Sequence, residues 1–377
     1  MSLSSSVKLI CRKAIYAILA YRYAKQYKAL LHRNAIASSK IPSEDCWMQK
    51  WSVLGSPNPV YYRLFSHYVG EDLNIIPEDI CRTVVEPILD PAPYVPYYSD
   101  KNIFDKLFRE GTLAKTILRK MGGAYYDAAY QKVEACDTTL FALLAESGCK
   151  KIVIKPSVDG ESGRGVKLFQ YYKEPQWLEI GSDIPLSIAF LEANYGNDLI
   201  IQECLEQHPD LAYFNPTSVN TLRLSLYRSV KTNECDVTRA IIRIGGKGAL
   251  VDNAHAGGGY VGINPDGSLC HRVLNQYGAS CTEFNDIDFT QQHTIPHWDR
   301  IVDFAKYIGA NVPHHRLLAL DIMLDKTGNP RLIEFNCKAY SMWLFQFTTG
   351  GALGDYTDEI IEYCHAHRNQ NKIQLLF

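Results

Sequence analysis

Leu317-Leu-Ala-Leu-Asp321-Ile-Met-Leu-Asp-Lys-Thr-Gly-Asn-Pro-Arg-Leu-Ile-Glu334-Phe-Asn336 sets two apolar runs on either side of a turn-rich Lys326-Thr-Gly-Asn329. Symmetric closure of that turn predicts a β-hairpin with Asp321 opposite Glu334, Leu320 opposite Phe335 and Ile322 opposite Ile333. Asn336 falls on the same face as the two acids, because side chains alternate along a strand. Like charges directly across a ladder repel, so the pairing makes sense with a cation between them. Two carboxylates and an amide are all oxygen donors. They suit a hard ion such as Mg2+, which keeps waters and shares phosphate oxygens. An exposed hairpin face with scattered acids is the alternative.

Working outward, the 377-residue chain is 46% apolar and 21% charged, an ordinary composition for two or three packed lobes. A net charge of -2 offers no argument for nucleic acid as a partner. Eleven cysteines without a Cys-x-x-Cys pair speak against a zinc ribbon or dithiol motif and fit reduced thiols, hence a cytoplasmic setting. Residues 1–40 carry Lys8, Arg12, Lys13, Arg22, Lys25, Lys28, Arg33 and Lys40 with no acid before Glu44. Ile15, Ile18, Leu19, Tyr23, Tyr27, Leu30 and Leu31 are interleaved at helical spacing. This basic amphipathic helix is too polar to span a bilayer. It would lie on an anionic membrane at the inner face, or dock on the body of the protein.

Residues 41–99, ending in the Pro- and Tyr-rich 90–100 stretch, read as an N-terminal region closing in an extended connector. Residues 102–120 and 130–148 read as helices. Strands are expected at 151–155, 166–171, 199–204, 221–227 and 237–244 and in the hairpin, giving an α+β fold with mostly antiparallel sheets.

Lys155-Pro156 runs into a loop with Gly160, Gly163 and Gly165 between two strands, where amides can approach phosphate oxygens with no Cβ in the way. It is neither a Walker loop nor a dinucleotide fingerprint. The apolar strand 199–202 stops at a polar junction, Gln202-Glu203-Cys204-Leu205, as an adenine site requires, with Asp210 downstream for a ribose hydroxyl. Arg223 and Arg243 stand in strand-like segments as anion clamps or as partners in structural ion pairs. A second glycine-rich loop, with Asn253, His255, Gly257 and Gly258, would admit an acceptor close to backbone; Lys338 is assigned with them to substrate.

In this order the parts resemble the ATP-grasp superfamily: a lysine ahead, Lys-Pro with a glycine loop, an adenine hinge, arginines on strands, then Asp followed by Glu-x-Asn. The chain looks most like the sugar-transfer-associated group. The subgroup signatures are Ser99-Asp100-Lys101-Asn102 to Lys106, Gln202-Glu203 to His208-Pro209, Ser218-Val-Asn220-Thr-Leu-Arg223 and Gly354-Asp355 to Glu359. The resemblance implies an ATP-grasp fold of two α+β lobes, 100–205 and 206–377, clasping ATP behind a helical N-terminal region. It implies that Lys106 and Lys155 hold phosphates, Lys106 being favoured over Lys101, and that Gly160, Glu161, Ser162, Gly163, Arg164 and Gly165 close over them. Gln202, Glu203, Cys204 and Leu205 would line adenine and Asp210 the ribose. Arg223, Arg243 and Lys155 would serve the transfer, and Asp321, Glu334 and Asn336 would hold Mg2+. The implied activity is ATP-dependent amide formation between a carboxylate, such as a uronic acid, and an amine, in cell-surface polysaccharide synthesis. A phosphotransferase acting on a sugar or lipid-linked acceptor and a non-catalytic scaffold at the membrane are the alternatives.

Overall fold

The computed structural model describes residues 5–158, 164–249, 252 and 257–368, with side chains from residue 14 onward. Its strands β1 (Thr116–Met121), β2 (Ala124–Asp127), β3 (Lys151–Pro156), β4 (Lys167–Lys173), β5 (Gln176–Glu179) and β6 (Leu199–Glu203) form one six-stranded sheet, ordered β2-β1-β6-β3-β4-β5. A seven-stranded sheet begins with β7 (Leu222–Arg228), β8 (Cys235–Ile244), β9 (Gly259–Ile263), β10 (Val273–Leu274) and β11 (Ser280–Cys281). After a small ribbon of β12 (Glu283–Phe284) and β13 (Ile287–Asp288), β14 (Leu317–Leu324) and β15 (Pro330–Asn336) complete it, in the order β11-β10-β9-β8-β7-β14-β15. Both sheets pair antiparallel, and the α+β class expected from the strand pattern is the class observed.

Strand alternation sorts the side chains of the larger sheet onto two covered faces. Leu222, Leu224, Leu226, Ala240, Ile242, Leu318, Leu320 and Ile322 share a core with the helix Trp298–Ala310. Tyr227, Ile241, Leu317 and Ala319 face the other way, into a core shared with the N-terminal helices. Further along that second face the residues are Arg223, Arg243, Asp321 and Met323. An apolar floor thus turns into a charged one within the same strands. The smaller sheet does the same: Ile152, Ile154, Phe169 and Ile201 pack with Leu140 and Leu144 of the helix Asp137–Ser147. Lys151, Val153, Lys155, Leu168 and Gln202 point from its opposite face into a cavity of about 1090 Å³ that the charged floor also lines.

The hairpin pairs Asp321 with Glu334 and Leu320 with Phe335, as the symmetric closure requires. Ile322, however, meets Leu332 rather than Ile333, because a bulge interrupts the ladder there. Leu332 enters the core while Ile333 turns to the cavity, so the acid pair keeps its face although the flanking register moves. The turn itself is tied by Asp325, whose Oδ1 accepts from Thr327 N and Asn329 N at 2.9 and 3.0 Å.

The helix expected over 130–148 begins only at Asp137, after Tyr130 at φ 64°, and two further stretches depart from expectation. Residues 102–120 are not one helix: a single turn, Phe104–Leu107, ends before Gly111 at φ 82°, and β1 follows. The apolar spacing there matched a helical period, but Gly111 in the left-handed region breaks the run. Nor is 41–99 closed by an extended connector. It holds α2 (Glu44–Ser52), α3 (Pro59–Val69) and short helical turns, including Val95–Ser99. Pro59, Pro87 and Pro96 sit in the first turns of their helices, where a missing N–H costs nothing.

Ahead of them α1 (Ser5–Arg33) docks through Tyr27 and Leu31, both buried beside α3. The Tyr27 ring meets Tyr61 edge-on at 4.8 Å and its hydroxyl donates to Glu78 at 3.3 Å. Ile18 and Tyr21, by contrast, remain 65% and 71% exposed. No helix of the described residues is long and apolar enough to cross a membrane, and all described cysteines are free thiols.

Candidate functional site

The charged floor is a network with few loose ends. Arg223 grips Asp321 in a bidentate pair, Nε to Oδ1 at 2.8 Å and Nη2 to Oδ2 at 2.7 Å. Arg243 lies 3.5 Å from the same carboxylate and 3.3 Å from Asp252. Asp321 is 1% exposed. Burial would raise its pKa, but the Arg223 and Arg243 guanidiniums outweigh burial and hold the carboxyl below its ordinary value. For Arg243 burial works toward neutrality, and the Asp252 and Asp321 carboxylates more than reverse it, so its pKa is raised. Guanidinium and ammonium groups therefore already balance the facing acids, since Glu334, 28% exposed, pairs with Lys101 at 3.2 Å.

Among the described residues no three His, Cys, Asp or Glu side chains are placed to hold a metal by themselves. The set here is different in kind: Glu334, Asn336 and Asp321 turn to one cavity. The Asn336 amide nitrogen donates to Ala319 O at 3.4 Å, which leaves its oxygen toward the site. Glu334 and Asn336 offer hard oxygens with room for waters, as an ion of the Mg2+ type that shares its shell with a phosphate requires, while both Asp321 oxygens already accept from Arg223.

The opposing wall carries cations without partners. The Lys155 ammonium makes no ion pair or hydrogen bond with any described residue, although its backbone is paired with Ile200 in the sheet. Its pKa is lowered to about 8, first by burial and then by the Lys101 ammonium, against a smaller pull from Glu334. Lys101 comes close because its backbone N–H donates to Ser157 O at 2.9 Å, just past the Lys-Pro pair. Lys106 does not reach the cavity. It is exposed, with its ammonium 4.1 Å from the centre of the Tyr130 ring, whereas Lys101 lines the cavity. The helix that carries Lys106 is one turn long and turns it to Tyr130.

Arg164 lines the cavity, and Gly165 supports it at φ 78°, where a Cβ would lie 3.0 Å from Pro156. Gly160, Glu161, Ser162 and Gly163 lie outside the described residues. Gln202, Glu203, Cys204 and Leu205 all line the cavity. The strand hydrogen bonds end with Cys204 N to Lys151 O at 3.1 Å, and neither the amide nor the carbonyl of Leu205 has a partner among the described residues. Val153, Leu168, Ile180 and Met323 supply apolar surface for a flat ring.

Two expectations are not met. Asp210 sits in the turn Pro209–Ala212, exposed beside His208, and is not part of the cavity wall; Glu206 is. The helical turn that follows His208 rotates Asp210 away, which residue spacing alone does not reveal. Gly257 and Gly258 border a separate cavity of about 520 Å³ with Val273 and Phe284, while Asn253 and His255 lie outside the described residues. Lys338 does line the main cavity. Sequence reasoning missed Arg82, which reaches the same wall from the N-terminal helices, and Asp252, which pairs with Arg243. No motif surrounds Arg82. Asp252 opens the glycine-rich loop and was passed over for its neighbours.

A family model described as sugar-transfer associated ATP-grasp matches residues 85–361. No curated protein matches the chain. Among solved structures, the D-cycloserine synthetase DcsG is similar at 17% identity and a TM-score of 0.41, over 74% of this chain and 73% of that one. The D-alanyl-alanine synthetase A from Vibrio cholerae is similar at 13% identity and 0.41, over 74% and 67%. A biotin carboxylase from Campylobacter jejuni is similar at 10% identity and 0.44, over 76% of this chain and 49% of its own.

Proposed function

The chain belongs to the sugar-transfer-associated ATP-grasp family, and from that premise we propose an ATP-dependent ligase that joins a carboxylate to an amine through an acyl phosphate. The observation that carries the reading is the meeting of Lys101 and Lys155 with the oxygen face of Asp321, Glu334 and Asn336 in one cavity. Residues 100–205 and 206–377 are taken as the two lobes around it.

In this reading adenine lies against Val153, Leu168 and Met323, with the free backbone groups of Leu205 at its polar edge. Lys101, Lys155 and Arg164 take the phosphates. Lys155 is suited to this because its charge has no internal partner, so an incoming phosphate restores what burial removes. Glu334, Asn336 and Asp321 would hold Mg2+, which neutralises phosphate charge when bound. Arg223 and Arg243 steady the group in transit, and Asp321 and Asp252 keep both guanidiniums from reorienting. The substrate carboxylate oxygen attacks the γ-phosphorus and ADP leaves. The amine nitrogen then attacks the acyl carbon, phosphate leaves, and the nitrogen loses a proton. Positioning and charge neutralisation suffice, with no nucleophilic side chain.

The family description motivates a uronic acid or similar saccharide carboxylate as donor. Hydroxylamine in place of the amine is expected to trap the acyl phosphate as a hydroxamate, with ADP and phosphate released in equal amounts. Phosphate retained on the acceptor would instead make the enzyme a phosphotransferase.

We also propose peripheral attachment to an anionic membrane through α1, on its exposed Ile18 and Tyr21 beside Arg22 and Lys25. Because Tyr27 and Leu31 belong to the core, point changes test this better than truncation. Ile18→Asp with Tyr21→Asp is expected to abolish sedimentation with phosphatidylserine vesicles while ATP turnover persists. Unchanged sedimentation would refute it.

A further inference from the structure

The cavity wall continues onto the N-terminal helices and the segment beyond Asn336, through Arg82, Lys338, Tyr260 and Trp343. Arg82 lies in a π-helical turn, Cys81–Val85, a rare conformation that often marks a functional position. Its Nε donates to Glu78 at 2.8 Å and its Nη1 to Glu86 at 3.2 Å. Nη2 donates to no described residue. Arg82 lines the cavity and neither glutamate does, so the two acids hold the guanidinium from outside the cavity wall and leave Nη2 without a described partner. Glu86 also accepts from Ala339 N at 3.4 Å, which ties this turn to the segment carrying Lys338. Lys338 is exposed and unpaired among the described residues.

Tyr260 adds an independent observation. The residue is 0% exposed, and its hydroxyl has no hydrogen-bond partner. Buried hydroxyls are normally satisfied, so one without a partner in a residue of the cavity wall points to a partner that arrives with a ligand. Its ring meets the half-buried Trp343 edge-on, with centroids 5.9 Å apart, and the two form an aromatic corner. Ser99 and Ser341 bring further hydroxyls to the same wall.

We infer that this end of the cavity is the subsite for a hydroxyl-bearing ring carboxylate of the uronate type. Arg82 and Lys338 engage the carboxylate, as a planar guanidinium fork and an ammonium do. Trp343 lies against the ring, and Tyr260 takes a ring hydroxyl. The inference rests on the reading that the site activates a carboxylate, and supplies the body that carries it.

Calorimetric titration of the full chain, without nucleotide, against D-glucuronate, D-glucose and D-glucose 6-phosphate tests it. Glucuronate is expected to bind, and the other two at least about tenfold more weakly. Tyr260→Phe removes a hydroxyl with no internal partner, so its melting temperature is expected to stay at the wild-type value. This variant and Lys338→Met should each weaken glucuronate binding about tenfold while MgATP affinity stays within about twofold. Arg82→Lys, which keeps the charge beside Glu78 and Glu86 but loses the fork, should weaken it similarly. Absence of glucuronate binding, equal or tighter binding of glucose or glucose 6-phosphate, or wild-type affinity in Tyr260→Phe and Lys338→Met would each overturn the subsite. Glucuronate binding without hydroxamate formation would instead leave the subsite standing and defeat the activation chemistry.

Discussion

The two walls of the main cavity handle charge in opposite ways. On the seven-stranded sheet Arg223, Arg243, Asp252 and Asp321 are paired with one another, and Glu334 is paired with Lys101. On the six-stranded sheet Lys155 makes no ion pair with any described acid and feels only the weaker pull of Glu334. The first wall is complete without ligand and can hold its geometry. The second is completed only by an anion. The proposed phosphoryl transfer needs both kinds of wall, since preorganisation requires the one and affinity for phosphate the other.

The hardest test falls on Glu334, the acid of the paired wall that still opens to the cavity. Glu334→Gln is expected to lower ADP release by about 10²–10³-fold while circular dichroism stays unchanged, as for loss of one group that stabilises transition-state charge. Normal ATP consumption in this variant would remove the oxygen face from the mechanism.

Arg223→Ala should act first on the fold. It leaves Asp321 buried with one cation fewer, at a cost of about 3–5 kcal/mol in unfolding free energy measured with denaturant. Adding Asp321→Asn should recover part of that loss, because the uncompensated charge is then gone. If the double variant is no more stable than the single one, the pair is not the structural half of the comparison.

Lys155→Met makes the contrasting prediction: ATP affinity down by about 10–100-fold with the apo protein at least as stable as wild type. The sign follows from the lowered pKa. The folded state disfavours the charged lysine, so the wild type is penalised below about pH 8, and the penalty fades as pH rises through that value toward the ordinary lysine range. Melting temperature against pH should therefore converge for the two proteins above pH 8. Nucleotide binding by the wild type should weaken over the same interval, because the ammonium it needs is lost. A melting curve that diverges instead would break the assignment.

The smallest effect discriminates best between neighbours. Lys101→Met should raise the KM for ATP about tenfold and Lys106→Met should leave it within about twofold. Equal effects would return Lys106 to the site.

How much was legible beforehand varies with the kind of constraint. The facing of Asp321 and Glu334 followed from two apolar runs around a turn, because alternation and pairing are local rules. The bulge at Ile333 did not, since it depends on how Leu332 fits the helix Trp298–Ala310. Lys155 and the polar junction at Leu205 were visible as strand ends. Asp210 and Lys106 lie off the cavity wall for one reason: each sits in a helical turn too short to leave a periodic signal, and a rotation within that turn decides where the side chain goes.

By itself, then, the sequence determined the α+β class, the family, the hairpin and the wall residues carried on regular strands, because strand periodicity assigns each residue a face. Only the tertiary structure decided which cations answer which acids, that Lys101 and not Lys106 lines the cavity, and that Arg82 joins the wall from a π-helical turn. Those are contacts between segments distant in the chain, set by the packing of the N-terminal helices and the two sheets, and no local pattern encodes them.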